Sequence, residues 1–284
     1  MNGGEPVDPA IQEVVTLTAG ARNDPAKIEQ LLAIVADAAR ESEVRQAAFK
    51  GLQQLSFSSV LFRRMNAQFI ATLRTLMDDP DPVLRELAVE RLAQEKDAIV
   101  QQRLLDGLER REEPLVDDVE AIQLLGYDIH GAFFPVMRRL AKESPDAAVR
   151  TEAVNVLAAD TASADLLLEI FGDKDEHDDV RRASASALMS VARDRFEPRA
   201  KEAVLDDSDT EAVRASSLSA LTHSPNREGV ASDGEFVARL ANVAPSAPPP
   251  TFEESIALEA PSLAPAEGDL AKAIRIFKER NGLV

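Results

Sequence analysis

The sequence predicts an all-α fold, a right-handed α-solenoid (superhelix) built from stacked helix pairs. Three observations predict it: a short motif that recurs along the chain, a second amphipathic segment between its copies, and a composition able to form a buried core. Hydrophobic residues make up 45% of the 284 residues, well above the level of disordered chains. The chain has no cysteine, which excludes disulfides, thiolate zinc sites and cysteine nucleophiles.

The recurring motif follows an acidic or proline-containing turn. It consists of an aliphatic residue and an arginine, then a small residue three positions after the arginine, then leucine four positions further on. Its arginines are Arg45, Arg85, Arg150, Arg181 and Arg214. A degenerate copy, with Glu120 in the arginine position, fills the long gap between the second and third arginines. Because the aliphatic, small and leucine positions are four apart, they share one helical face.

A second amphipathic segment separates successive copies, as in the run that contains Phe69, Leu73 and Leu76. Each unit is therefore expected to be two helices joined by turns, with Asp or Ser capping the start of the motif helix. One such pair cannot bury its apolar face alone, so neighbouring pairs must stack. The small residue of the motif allows the close approach that stacking requires.

The pattern Asp-x-x-x-Val-Arg-x-x-Ala-x-x-x-Leu resembles the HEAT-repeat family, in the short HEAT-like form also seen in phycobilin lyases. The resemblance covers roughly residues 25 to 225. It implies a binding scaffold, since the family serves mostly in binding and only rarely as an enzyme. It also implies that the five arginines form a structural ladder, in which each reaches an aspartate in a neighbouring turn.

Composition divides the chain into four segments. Residues 1–24 are an N-terminal tail and capping helix, residues 25–243 the HEAT-like repeat solenoid, and residues 244–268 a Pro/Ala-rich acidic linker. Residues 269–284 hold a C-terminal amphipathic helix. Two interpretations of this helix stay open: a cap docked on the open end of its own array, or a helix-in-groove ligand for a partner or a second copy.

The apolar face of the C-terminal helix is formed by Leu270, Ile274 and Phe277. In HEAT repeats the helix with the Val-Arg pattern generally lines the concave side. The resemblance therefore places the partner-binding face just after each arginine and one turn later. These positions are Gln46, Lys50, Glu86, Glu90, Thr151, Asn155, Arg182, Ser186 and Ser219. They are polar, mixed in charge and without an aromatic hot spot.

The formal net charge of −18 separates classes of partner. We expect a protein partner with a basic or amphipathic-helical surface, which an acidic groove attracts. Nucleic acid is not expected as a partner, because no third of the chain is basic and binding a phosphate backbone needs a basic face. The same argument disfavours a HEAT-like DNA glycosylase.

The sequence favours a non-catalytic protein with no cofactor and no metal. No P-loop or dinucleotide-binding motif occurs. None of His130, His177 and His223 is followed by glutamate, unlike the His-Glu pairs of HEAT-repeat iron hydroxylases, and the acidic turns lack the glycine of a calcium loop. The alternative is a lyase-like HEAT-repeat enzyme subunit that handles a prosthetic group, a relative of the bilin lyases. An aromatic content of 4% is low for a tetrapyrrole pocket.

The N-terminal sequence lacks the basic start and apolar run of a signal peptide, and no stretch approaches about 18 uncharged apolar residues. We therefore expect a cytoplasmic protein that does not insert into a membrane. The sequence leaves the oligomeric state and the identity of the partner open.

Overall fold

A computed structural model describes residues 8–58, 62–128, 132–243 and 268–283. Every regular element in these residues is a helix, which confirms the predicted all-α fold. The chain divides into two compact units, Met1–Asp128 and Ile129–Val284. The predicted linker lies outside the described residues apart from Gly268. No helix in the described ranges is long and apolar enough to cross a membrane.

The first unit is a series of helix pairs preceded by one further helix. A short 3-10 helix, Ala21–Asn23, joins that first helix to the pairs. Helices α2, α4 and α6 alternate with the motif helices α3, α5 and α7, and each of the three pairs packs together. The described helices are α1 (Pro9–Gly20), α2 (Pro25–Ala36), α3 (Ser42–Ser58), α4 (Phe62–Leu76), α5 (Pro82–Gln94), α6 (Ala98–Leu108) and α7 (Asp118–Leu125). Because α1 packs on α3 as well as on α2, it covers the outer side of the first pair.

The second unit repeats this arrangement. Helices α8, α10 and α12 pair with the motif helices α9, α11 and α13, which also pack side by side. A 3-10 helix, Thr161–Ser163, precedes α10. The described helices are α8 (Phe134–Glu143), α9 (Ala147–Leu157), α10 (Ala164–Gly172), α11 (Asp178–Val191), α12 (Arg193–Leu205), α13 (Glu211–His223), α14 (Arg227–Ala231), α15 (Gly234–Leu240) and α16 (Asp269–Arg280).

The small residue is buried in all five copies of the motif. Ala48, Ala88 and Ala153 are fully buried, and so are the serines that replace alanine in the last two copies, Ser184 and Ser217. The hydroxyl groups of these two serines have no hydrogen-bond partner among the described residues. Small size, and not polarity, is therefore what this position requires.

Aspartate caps seven of the described α-helices: α1, α2, α5, α6, α7, α9 and α15. Asp8 and Asp24 accept hydrogen bonds from the amides of Ala10 and Ala26, at 2.7 and 3.1 Å, and proline follows each aspartate directly. Side-chain oxygens at this position satisfy amides that have no partner inside the helix.

Two motif helices begin differently from the prediction. His177 caps α11 and Thr210 caps α13, although both turns are rich in aspartate. The acids next to these caps, Glu176 and Asp209, are bonded by motif arginines instead. The acidic turns therefore serve two purposes, capping and pairing with arginine.

The two helices of the last pair, α15 and α16, are not consecutive in the chain, since residues 241–268 lie between them. Helix α15 packs on α12 and α16 packs on α13, which are the positions that the two helices of a further pair would take. The rings of Phe236 on α15 and Phe277 on α16 meet edge to face, with centroids 6.2 Å apart. The pair forms although residues 241–268 separate its two helices.

We expect Ala153→Asp to destabilise the second unit by about 3 kcal/mol or more. Ala153 is fully buried on α9, and the new carboxylate would have no cation to pair with. Thermal unfolding followed by circular dichroism measures the change. The control is Asn155→Asp at an exposed position of the same helix, where we expect a change within about 0.5 kcal/mol. An unaltered melting temperature in Ala153→Asp would contradict the packing of α9.

Candidate functional site on the motif helices

Two motif arginines join neighbouring helix pairs in the same way. Arg181 donates to both carboxylate oxygens of Asp209, at 2.6 and 2.7 Å, and Arg45 forms the equivalent two bonds with Asp79. The Nε of each arginine donates to a backbone carbonyl of the helix before it, at 3.0 and 2.9 Å. Both arginines are buried, and the bonds from Arg45 lower the pKa of Asp79. Because a planar guanidinium bonds a carboxylate at two points, it fixes how adjacent pairs are aligned.

Arg150 and Arg214 bond acids in other ways. Arg150 donates two bonds, at 3.0 and 2.7 Å, to Glu176 in the next turn, so its partner is a glutamate and not the expected aspartate. Arg214 bonds Asp207 of the turn before its own helix, at 2.8 Å. The expectation of a neighbouring turn is wrong for Arg214, because the chain continues after α13 without another acidic turn and motif copy.

Arg85 also departs from the prediction. Its guanidinium donates to the backbone carbonyls of Asp79 and Pro80 in its own turn, at 2.6 and 3.2 Å. None of the described carboxylates bonds it. The following motif copy is the degenerate one. Leu115 stands two residues before its helix cap, Asp117, in the position that Asp79 has before the cap Asp81, and Glu120 replaces the arginine. The ladder is therefore interrupted at α7.

The exposed side of α5 and α7 carries uncompensated negative charge, and we call Glu86, Glu90 and Glu120 the acidic patch. Partial burial raises the pKa of Glu120, and the negative charges of Glu86, Asp117 and Glu90 raise it further. Glu90 accepts one hydrogen bond, from Gln94 at 3.2 Å. No cation among the described residues pairs with any member of the patch. Like charges repel, so a bound cation would lower the energy of the patch.

The chemistry of the acidic patch suits an organic cation. Across the described ranges, no three His, Asp or Glu side chains come together as a metal ion would require. The carboxylates of the acidic patch are spread over two helices, α5 and α7. Glu86 and Glu90 were predicted from the sequence as partner-binding residues, whereas Glu120 was recognised only as a degenerate motif position. Its replacement of arginine was the signal that could have placed it here.

Lys50 lines a hollow of about 540 Å³ between α1 and α3 in the first unit. Val15 and Arg22 line it as well. Gly51 lets α1 approach α3, since a Cβ atom there would lie 2.4 Å from the hydroxyl of Thr18. The hollow therefore lies beside a tight contact between the two helices.

Gln46 does not line this hollow. Its side-chain amide donates to Ser42 at 2.8 Å and to Asp81 at 3.3 Å, beside the turn before α5. The two predicted partner-binding residues of α3 therefore have different surroundings.

A hollow of about 330 Å³ lies between α11, α13 and α16 in the second unit. Arg182 and Ser219 line it, together with Lys272 and Ile276 of the C-terminal helix. The structure thus brings two of the predicted partner-binding residues together and adds the C-terminal helix to their surroundings, which the sequence did not indicate.

The remaining predicted residues of this unit lie apart from the hollow. The hydroxyl of Thr151 donates to the carbonyl of Ala147 at 2.7 Å, and Asn155 donates to Glu152 at 3.2 Å. Ser186 is exposed on α11. None of these contacts distinguishes a binding site.

The C-terminal helix is docked within the chain. Leu270 and Phe277 are fully buried and Ile274 is half-buried. Between the two interpretations left open by the sequence, the structure has the helix on α13 of its own unit.

The stacked pairs and the arginine ladder define a helical-repeat protein of the α-solenoid class. Residues 103–189 match the family model for HEAT repeats, a range that starts within α6 and ends within α11. The prediction of HEAT repeats is therefore confirmed over this part of the chain. The closer likeness to the phycobilin-lyase form stays a prediction. A search of curated proteins finds no match.

We expect Arg181→Ala to cost about 3–5 kcal/mol of unfolding free energy. The substitution leaves the Asp209 carboxylate, only 3% exposed, without its counter-charge. Urea unfolding measures this cost. Arg182→Ala removes the exposed neighbouring arginine and serves as the control, with an expected change within about 0.5 kcal/mol. Equal effects of the two substitutions would show that the Arg181 pair does not hold adjacent helix pairs.

We expect Glu120→Gln to raise the unfolding free energy near pH 7 by about 0.5 kcal/mol. Since the pKa of Glu120 is raised in the folded state, its ionisation costs stability as pH rises through that pKa. The gain should therefore vanish in acid, below the ordinary pKa of glutamate at about 4.3. Urea unfolding across this pH range tests the effect, with the exposed Glu29→Gln as control. A gain that persists in acid would contradict the electrostatic cause.

Proposed function

We propose that the chain is a non-catalytic scaffold or adaptor. The exposed side of its motif helices binds a partner that is rich in lysine and arginine. This partner is a peptide, a helix or a protein surface. The acidic patch is the observation that carries this proposal. HEAT repeats commonly mediate protein interactions, and the patch gives the chain a specific chemistry for doing so.

Some carboxylates of the acidic turns are already paired within the described residues, whereas those of the acidic patch are not. Asp79, Glu176 and Asp209 are bonded to motif arginines, so they are not available to a partner. Glu86 and Glu120, in contrast, pair with no cation of the described residues, and the negative charge of Glu86 adds to the cost of ionising Glu120, whose pKa is raised. Basic side chains of a partner would remove that cost and would replace the arginine that the degenerate motif lacks.

The overall charge supports the same class of partner. A net charge of −18 attracts cationic proteins over the range of a Debye length and raises their rate of association. The patch then supplies local specificity, which net charge alone does not. No observation on the described residues favours the lyase-like alternative.

The triple substitution Glu86→Gln, Glu90→Gln and Glu120→Gln tests the proposal. The probe is a synthetic amphipathic helix of lysine, leucine and alanine, and its affinity is measured by fluorescence anisotropy at low salt. Three lost charge pairs at about 0.5 kcal/mol each should weaken binding about tenfold.

A matched control removes the same charge elsewhere in the first unit. Glu13, Glu29 and Glu113 are exposed and lie outside the patch, and their change to glutamine should alter the affinity by less than about twofold. Equal losses in the two triple variants would show general attraction to an acidic chain and would refute binding at the patch. Affinity that does not fall with added salt would also refute it.

A further inference from the structure

Helix α16 packs on α13 in the way that an amphipathic helix packs in an apolar groove. Leu270 near its start and Phe277 near its end are fully buried, seven residues apart on one face. Gly268 provides no side-chain cap, and the amide of Leu270 donates to a carboxylate oxygen of Glu211 on α13, at 3.1 Å. The docking surface therefore supplies both the apolar contacts and the hydrogen bond that the start of the helix needs.

The covalent connection of α16 to its surface is long. Residues 206–210 join α12 to α13, whereas residues 241–268 lie between α15 and α16. A helix tethered in this way is held by a binding equilibrium, in which the tether sets the effective concentration. Effective concentrations of ligands tethered to their own site reach the millimolar range.

The fit between α16 and α13 is incomplete. The hollow of about 330 Å³ lies beside Ala273 and Ile276 of α16 and is lined on α13 by Ala215 and Ser219. Ala273 is too small to fill it, and both α16 residues remain half-buried. A helix with a larger apolar side chain in the place of Ala273 would bury more surface on α13.

The composition of α16 is basic in an acidic chain. Lys272, Arg275, Lys278 and Arg280 outnumber its two acids, whereas the chain as a whole has a net charge of −18. Helices of this kind are therefore attracted to the protein before they make any contact.

We infer that the surface of α13 covered by α16 is an exchangeable docking surface for a basic amphipathic helix of a partner protein, one with leucine and phenylalanine seven residues apart. Helix α16 is its resident occupant, and a partner helix that fills the hollow displaces it. This inference goes beyond the proposed function, since it concerns a different surface and requires no contribution from the acidic patch.

The test uses the full chain with a protease site inserted between residues 244 and 267. The protein folds intact and is cut afterwards, so that α16 stays present but loses its tether. The probe is a fluorescent peptide of residues 268–284, and its binding to intact and cut chains is followed by anisotropy to equilibrium. We expect the intact chain to bind the peptide at least about 100-fold more weakly, because tethered α16 competes at a millimolar effective concentration.

Two peptide variants identify the surface. Phe277→Ala removes the buried ring and should weaken binding to the cut chain about 100-fold or more. Ala273→Leu extends into the hollow and should bind about fivefold more tightly. If Ala273→Leu binds no more tightly than the natural peptide, the hollow does not serve the partner helix and this part of the inference is overturned.

Three further outcomes would overturn the inference as a whole. These are equal binding to intact and cut chains, no binding to the cut chain, and a concentration-dependent dimer of the intact chain, which would assign the surface to a second copy. Glutamine substitution of the acidic patch in the cut chain should leave peptide binding within about twofold. The docking surface and the proposed function can therefore fail separately.

Discussion

A single helix pair of this chain cannot bury its own apolar face. The arrangement of the helices therefore depends on which element packs on that face. Within each unit the next pair covers it, and the small motif residues, such as Ala88 and Ala153, are fully buried. At the first pair α1 covers it, and at α13 the cover is α16. Terminal faces expose the same kind of surface that holds the interior together, so the elements that cap them are chemically equivalent to bound ligands.

Polar contacts align what the apolar contacts hold together. A buried guanidinium needs acceptors, and each of the three nitrogens of Arg181 donates to one: two to the Asp209 carboxylate and one to the backbone carbonyl of Phe171. Such a pair contributes less to net stability than its geometry suggests, because both charges lose their water. Its effect is on alignment, since the bidentate bond tolerates one orientation of adjacent pairs. The same bonds use up acids in the turns, which is why the formal charge of the chain overstates the charge available to a partner.

The sequence predicts those features that depend on local pattern. The helix pairs, their caps at Asp8 and Asp24, and the buried small residues follow from spacing and from backbone hydrogen bonding. Partner choice within the ladder is less local. Arg85 and Arg214 carry the same motif as Arg181, yet each bonds groups of its own turn. The reason is that the next turn along the chain offers no acid at the position that would meet the arginine.

Features that depend on contacts between distant segments are harder to predict from the sequence. The amphipathic pattern of α16 shows that the helix has a surface to cover, but the same pattern fits docking in its own chain or in another. What decides is the apolar face of α13, on which α16 lies in its own unit. A short turn makes a helix a permanent part of its array, whereas the long connection before α16 makes its docking reversible in principle. On this face of α13, the contacts that pack a helix into the array and the contacts that would bind a partner helix are therefore of the same kind.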